Sequence, residues 1–448
     1  MGSRMLRSPR SQIKARYAKG LVWAGGAAII SQLGMYACAV VGARILGREV
    51  YGQFAAVQSV VLACAQVATT GLGITATKYV AEYRQSDTAK VGRILGLCFR
   101  VTAVFGGGVG LITFAAADII AGLAFRTPEL APAIKAAAFY IPFFAMNAYQ
   151  VGTLVGLEAF RSLFVASVLQ STAAIGVTLM LTAALGLVGA SAALSAGAAI
   201  SWVVHQVFLT RQCSTYGIRK LSGDCWGERA ILTEFALPAV LASSVGAAVV
   251  WSSSVLLTRQ SRGFVDMALY NAANLLRNVV LYLPGLGAKV VAPMLCNLKG
   301  LSKTEQYVRV WWGNTLASAL AAVIAAVLLS AASPVLLQMF GREFRGGELV
   351  CFLLFASGVL EVLSVAYYQV ILSHGKMWWQ SGVVTIWAAV WLALAFLLVP
   401  PLGAVGLAIC SLGAWTIALG LYIALARRLL VASEFRNEPS EPISLEAL

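Results

Sequence analysis

The sequence predicts an all-α integral membrane protein of about twelve transmembrane helices in two parallel six-helix repeats, with both termini cytoplasmic. Three observations predict it: long apolar blocks, positive charge confined to alternate connections, and a motif register that recurs once along the chain.

The blocks come first. Of 448 residues, 60% are apolar and only 11% charged, less than half the charge an ordinary soluble domain carries. Residues 20–43, 50–77, 136–157 and 235–258 contain no Asp, Glu, Lys, Arg or His. A helix needs ~20 such residues to cross the hydrocarbon layer. Lipid leaves no backbone polar group a partner outside the segment, so these blocks are helices. The short alternating segments of a transmembrane barrel are missing. Spans are expected near 19–45, 50–77, 91–117, 136–157, 162–184, 189–210, 233–258, 267–295, 308–332, 348–372, 378–399 and 403–426.

Charge supplies the orientation. The net charge of +15 is not a nucleic-acid patch, because it sits in short clusters between apolar blocks. Counting from a cytoplasmic N-terminus, alternate connections hold 22 Lys and Arg on the inner side and 8 on the outer, the bias of the positive-inside rule. The first apolar block follows a basic leader and is too long for a signal-peptide core, so it reads as a retained helix. The eight cysteines show no metal or disulfide spacing and read as small packing residues.

The third observation is internal repetition. Residues 162–210 and 377–426 each lack Asp, Glu, Lys and Arg, and each is broken by Leu-Gly-x-x-Gly, at Leu185 and Leu402, an offset of 217. Gly52-x-Phe54-Ala55-Ala56 matches Ala268-x-Tyr270-Asn271-Ala272 at 216, and Leu123–Arg126 resembles Gln338–Gly341 at 215. Arg44 and Arg259 end the first spans of the two halves, where capping or headgroup contact is expected. The implied organisation is a basic segment 1–18, an N-lobe 19–210, a cytoplasmic linker 211–232, a C-lobe 233–428 and a disordered tail 429–448. Parallel repeats place a substrate path in the cleft between lobes.

Polar groups inside spans are the candidate site, since each is costly in lipid. Asn271, Asn274, Asn278, Tyr282, Gly285 and Lys289 fall within about 80° on a helix, and Arg277 lies beside that stripe. Gln58 and Gln66 are their counterparts on the second span. Asn and Gln in membrane helices also simply bind neighbouring helices, which is the competing explanation. Glu361, in the tenth span, is read as a coupling group or as a counter-ion to Arg277. The run Gly106-Gly107-Gly108-x-Gly110 reads as close helix packing, not a phosphate loop. No P-loop motif occurs, the two histidines, His205 and His374, have no ligand company, and no connection is long enough for a soluble catalytic domain. No cofactor, metal or enzymatic activity is expected.

Several of these residues form motifs that resemble a known family. Arg44-Ile45-Leu46-Gly47-Arg48-Glu49-Val50-Tyr51-Gly52-Gln53-Phe54 resembles the turn after the first helix of polysaccharide-exporter flippases. Asp266–Ala273 resembles their eighth-helix entry, with Ala268 where glycine is usual. Pro293, Phe340–Phe344, Gly375-Lys376 and the Leu-Gly-x-x-Gly turns fit in order. The resemblance is to the polysaccharide-biosynthesis branch of the MOP superfamily, the Wzx-type O-antigen or capsule flippases, and covers residues 19–426. It implies a monomeric multi-pass protein of the bacterial cytoplasmic membrane, with a polyprenyl-pyrophosphate-linked oligosaccharide as substrate. It also implies contact with membrane lipids and polymerase or export machinery, and alternating access about a cationic cavity. A cation-coupled drug or metabolite antiporter of the related MATE branch is the alternative, and a membrane-embedded glycan polymerase or ligase a second.

Overall fold

The structure is a computed structural model that describes residues 9–69, 71–84, 86–218, 237–300 and 304–434. Among the described residues it is all-α, with no strand. The helices are α1 (Pro9–Ala68), α2 (Leu72–Tyr83), α3 (Thr88–Ala115), α4 (Ala117–Ile119), α5 (Ala131–Ala138), α6 (Tyr140–Gly156), α7 (Phe160–Thr215), α8 (Leu237–Thr258), α9 (Gly263–Gly300), α10 (Thr304–Phe340), α11 (Glu348–Ser373) and α12 (Met377–Glu434).

Among the described residues, seven helical stretches are long and apolar enough to cross a membrane. Gly25–Ala68, at 44 residues, would be about 66 Å long as one straight helix, roughly twice the hydrocarbon thickness. It does not run straight. Gly47 leaves helical geometry at φ 75°, ψ 170°, and α7 and α12 break at Gly186 (φ 55°, ψ −129°) and Gly403 (φ 55°, ψ −126°). A positive φ costs glycine nothing and an L side chain much. The last two dihedral pairs are nearly superposable and belong to the two Leu-Gly-x-x-Gly turns, so the repeat seen in the residues recurs in the backbone.

The chain packs as two compact units. The first holds the described chain up to Leu275 with Pro334–Glu348 and Ala395–Leu407; the second holds Leu276–Ser333, Leu349–Leu394 and the chain from Ala408. In the first unit, one buried cluster gathers Leu72, Val91, Ile94, Leu97, Tyr149 and Leu154 from α2, α3 and α6. Another joins Val57, Val61, Ile134 and Ile141. In the second unit, Tyr307, Trp311, Val370, Ile371, Tyr422 and Leu429 form the core of α10–α12.

Glycine sets how closely the first unit's helices approach. A Cβ on Gly152 would lie 2.1 Å from the Gly73 carbonyl oxygen, so α2 and α6 cross backbone to backbone. The Thr77 hydroxyl donates to the Gly152 carbonyl at 2.9 Å across this contact. Gly106 and Gly110, one turn apart, face Pro142 and Ala145 of α6, whereas Gly107 and Gly108 face open space. The glycine run thus serves packing on one face only.

Three stretches differ from expectation. The connection 118–135 is mostly helical: a π turn (Ile120–Ala124) extends the third span, and a 3-10 turn (Pro128–Leu130) leads into α5. Its apolar residues Ala121, Phe125, Leu130 and Ile134 are buried, which draws the segment into regular structure. At the N-terminus, α1 begins at Pro9, inside the basic leader. The tail predicted as disordered from 429 is helical to Glu434, because Leu429 and Leu430 continue the apolar face that packs on the second unit's core. Residues 435–448 and 219–236, the latter holding most of the linker and the start of the expected C-lobe, lie outside the described residues.

Candidate functional site

The polar stripe of α9 divides between the units. Its buried face is apolar, with Ala268, Ala272, Leu276 and Val280 at helical spacing. Asn271, Asn274, Arg277, Asn278 and Tyr282 are all half-buried. Lys289 lies on the helix, but its side chain is outside the described residues.

In the first unit, Asn271 is the meeting point. Its Nδ2 donates to the Tyr51 hydroxyl and to Gln58 Oε1, each at 3.4 Å. Residues of the second and eighth spans, counterparts in the two halves, are thereby joined. Tyr51 is 1% exposed and held among Phe54, Phe340 and Phe344 with ring centroids 6.1–6.2 Å away. Gln66, two turns on, is exposed and takes no part.

In the second unit, Arg277 of α9 forms an ion pair with Glu361 of α11, their side chains 12% and 23% exposed. Gly358, one turn earlier on α11, has only hydrogen where the Arg277 stem passes, 3.4 Å from where a Cβ would sit. Glu361 also borders a cavity of about 220 Å³, with Pro284, Gly285, Asn314, Ser318 and Gln369 among its walls. Asn314 Nδ2 donates to Gln369 Oε1 at 3.4 Å, and Gln369 Nε2 donates to the Ala288 carbonyl at 3.3 Å. The result is a small chamber with a carboxylate, two amides and a hydroxyl set in apolar walls. Such a chamber suits a ligand with one polar end.

Sequence reasoning singled out Asn271, Gln58, Arg277 and Glu361, and missed Tyr51, Asn314, Ser318 and Gln369. Asn314 and Gln369 are in-span amides too, but each is the one Asn or Gln within its expected span, 308–332 or 348–372, and forms no stripe. A further network in the first unit was also missed. Asn147 Nδ2 donates to Ser201 Oγ at 2.8 Å, Ser201 Oγ to Gln170 Oε1 at 2.5 Å, and Gln150 Nε2 to Gln206 Oε1 at 2.7 Å. His205 is 2% exposed, its Nδ1 2.8 Å from the Ser201 carbonyl. Among the described residues no cluster of His, Cys, Asp or Glu has the makings of a metal site.

Solved structures share this fold. An inward-facing multidrug resistance MATE family transporter of the MOP superfamily matches with TM-score 0.75 at 14% identity, covering 91% of this chain and 96% of that one. An outward-facing MATE family transporter of the superfamily matches at 0.68 and 15%, covering 93% and 96%. A MOP superfamily transporter from Pyrococcus furiosus, described as having a binding pocket of reverse polarity, matches at 0.68 and 14%, covering 94% and 95%. None of the curated proteins searched matches the chain. The fold is that of a multi-pass membrane transporter of the MOP superfamily. Residues 17–299 match the family described as polysaccharide biosynthesis protein, and the chain belongs to that family, whose members are flippases and transporters rather than enzymes.

Proposed function

We propose that this protein moves a polyprenyl-pyrophosphate-linked oligosaccharide from the cytoplasmic to the outer leaflet of a bacterial cytoplasmic membrane by alternating access, for cell-surface polysaccharide synthesis. The observation that carries this reading is the family match over residues 17–299, joined to a MOP superfamily fold. The chemistry of α9 agrees with it. Three asparagines and a tyrosine offer donors and acceptors to sugar hydroxyls, and Arg277 offers charge to pyrophosphate. The polyprenyl chain needs no polar site and stays in lipid. Twelve crossings with both termini cytoplasmic, the N- and C-lobe division, and a monomer that hands its product to polymerase or export machinery belong to the same proposal.

On this reading Arg277, ion-paired with Glu361 in the structure, exchanges that partner for pyrophosphate when substrate binds. The test is glycan export in cells lacking their own flippase, with membrane abundance measured alongside. Arg277→Lys is expected to retain more export than Arg277→Gln, because a diphosphate requires charge before it requires the guanidinium fork. Loss of one charge-assisted hydrogen bond costs about 1.5–3 kcal/mol, a tenfold loss of binding or more. Full export by Arg277→Gln at normal abundance would remove Arg277 from the site. Normal glycan export after deletion of the gene, with no redundant flippase, would overturn the function.

A second reading, a MATE-like cation-coupled antiporter, draws on the solved relatives and on the Glu361 chamber. It predicts drug resistance on expression in an efflux-deficient strain and unchanged surface glycan.

A further inference from the structure

Arg44 closes the first span and Arg259 the seventh, at an offset of 215. Arg44 Nε donates to the Met339 carbonyl at 2.7 Å, and Arg259 Nε donates to the Ala124 carbonyl at 2.8 Å. Met339 and Ala124 are themselves 215 apart. Each arginine therefore reaches into the opposite repeat and binds the same atom of the same structural position. Arg259 adds a second bond, from Nη2 to the Leu123 carbonyl at 2.6 Å.

The acceptors are alike for a reason. Met339 lies at the end of α10, and Ala124 at the end of the π turn that closes the third span. The last carbonyls of a helix have no intrahelical donor and carry its negative dipole end, so a guanidinium from elsewhere is a favoured partner. Around the Arg44 contact, Arg48 Nη1 donates to the Glu343 carbonyl at 2.6 Å, Arg48 Nε to the Val265 carbonyl at 3.3 Å, and Tyr36 to the Leu336 carbonyl at 3.3 Å. All these residues fall in the first compact unit, and all but Tyr36, which lies within the first span, fall in connections that the charge bias assigns to the outer side.

We propose that Arg44 and Arg259 are a matched pair of latches that hold the outer end closed, and that both must release for the outer end to open. The proposal rests on the alternating-access reading. Both arginines are exposed, so each latch is worth less than a buried bond. Removing one is expected to shift the closed–open balance about threefold to tenfold.

Hydrogen–deuterium exchange on the full-length protein in lipid nanodiscs tests this, comparing wild type with Arg44→Gln, Arg259→Gln and the double variant. A latch is a two-state device, so removing either one lowers the cost of the same open state, in which the other latch is also broken and both turns are exposed. Exchange should accelerate threefold to tenfold at 338–345 and also at 121–127 in each single variant, and the factors should multiply in the double variant. Lysine at either position should recover part of the protection. If each variant accelerates only the turn its arginine touches, the contacts are local helix caps and the latch is refuted. Unchanged exchange at both turns refutes it equally. No substrate enters this measurement, so its failure is distinguishable from failure of the flippase reading, which is judged by glycan export.

Discussion

A charge inside a membrane helix needs a partner, and Arg277 and Glu361 are each other's. Removing one partner of such a pair leaves the other uncompensated, at a cost of about 3 kcal/mol. Replacing both by apolar residues removes that cost. Arg277→Met is therefore expected to lower thermal stability in detergent and membrane abundance, and Arg277→Met with Glu361→Leu to recover both. On the proposed function, export should stay lost in the double variant, since the pyrophosphate then loses the Arg277 cation. If Arg277→Met is as stable as wild type, the pair contributes nothing; if the double variant exports normally, Arg277 is structural only. The sequence pointed to this pair because both residues interrupt apolar runs. It did not point to Asn314 or Gln369, which join the same chamber only because α10 and α11 pack together.

At the scale of the helix, glycine divides into two kinds that the residue name does not distinguish. Gly152 presses on the Gly73 backbone, while Gly107 faces open space. Gly152→Ala should force α2 and α6 apart and lower the melting temperature and the folded yield. Gly107→Ala should do neither, and gains about 0.5–1 kcal/mol in helix propensity. Fluorescence-detected size-exclusion after heating measures both, and equal behaviour of the two variants would deny the backbone crossing. The Gly106–Gly110 run was legible as a packing motif. Which two of its glycines pack was settled by the rotation of α3 against Pro142 and Ala145. The 118–135 stretch misled for a related reason: its charges read as a loop, yet its buried Ala121, Phe125, Leu130 and Ile134 carry it into helix once neighbours cover them.

For the whole molecule, the topology is the part most open to a direct test. Reporter fusions at Arg219 and at the C-terminus should report cytoplasm, and one at Glu129 the outside. A fusion at the C-terminus that reports the periplasm would break the even span count and the parallel repeat with it. Residues alone determined the class of molecule, since backbone groups in lipid admit only helices when apolar runs are this long. They also determined the recurring register: Gly186 and Gly403 adopt matching positive-φ turns because only glycine takes that geometry without strain. Apart from the Arg277–Glu361 pair, tertiary structure alone decided which polar groups meet. Asn271 reaches Tyr51 and Gln58, and Arg44 reaches Met339, across sequence separations of 220, 213 and 295 residues. Helical periodicity says which face a side chain occupies, and says nothing about which distant helix that face will meet.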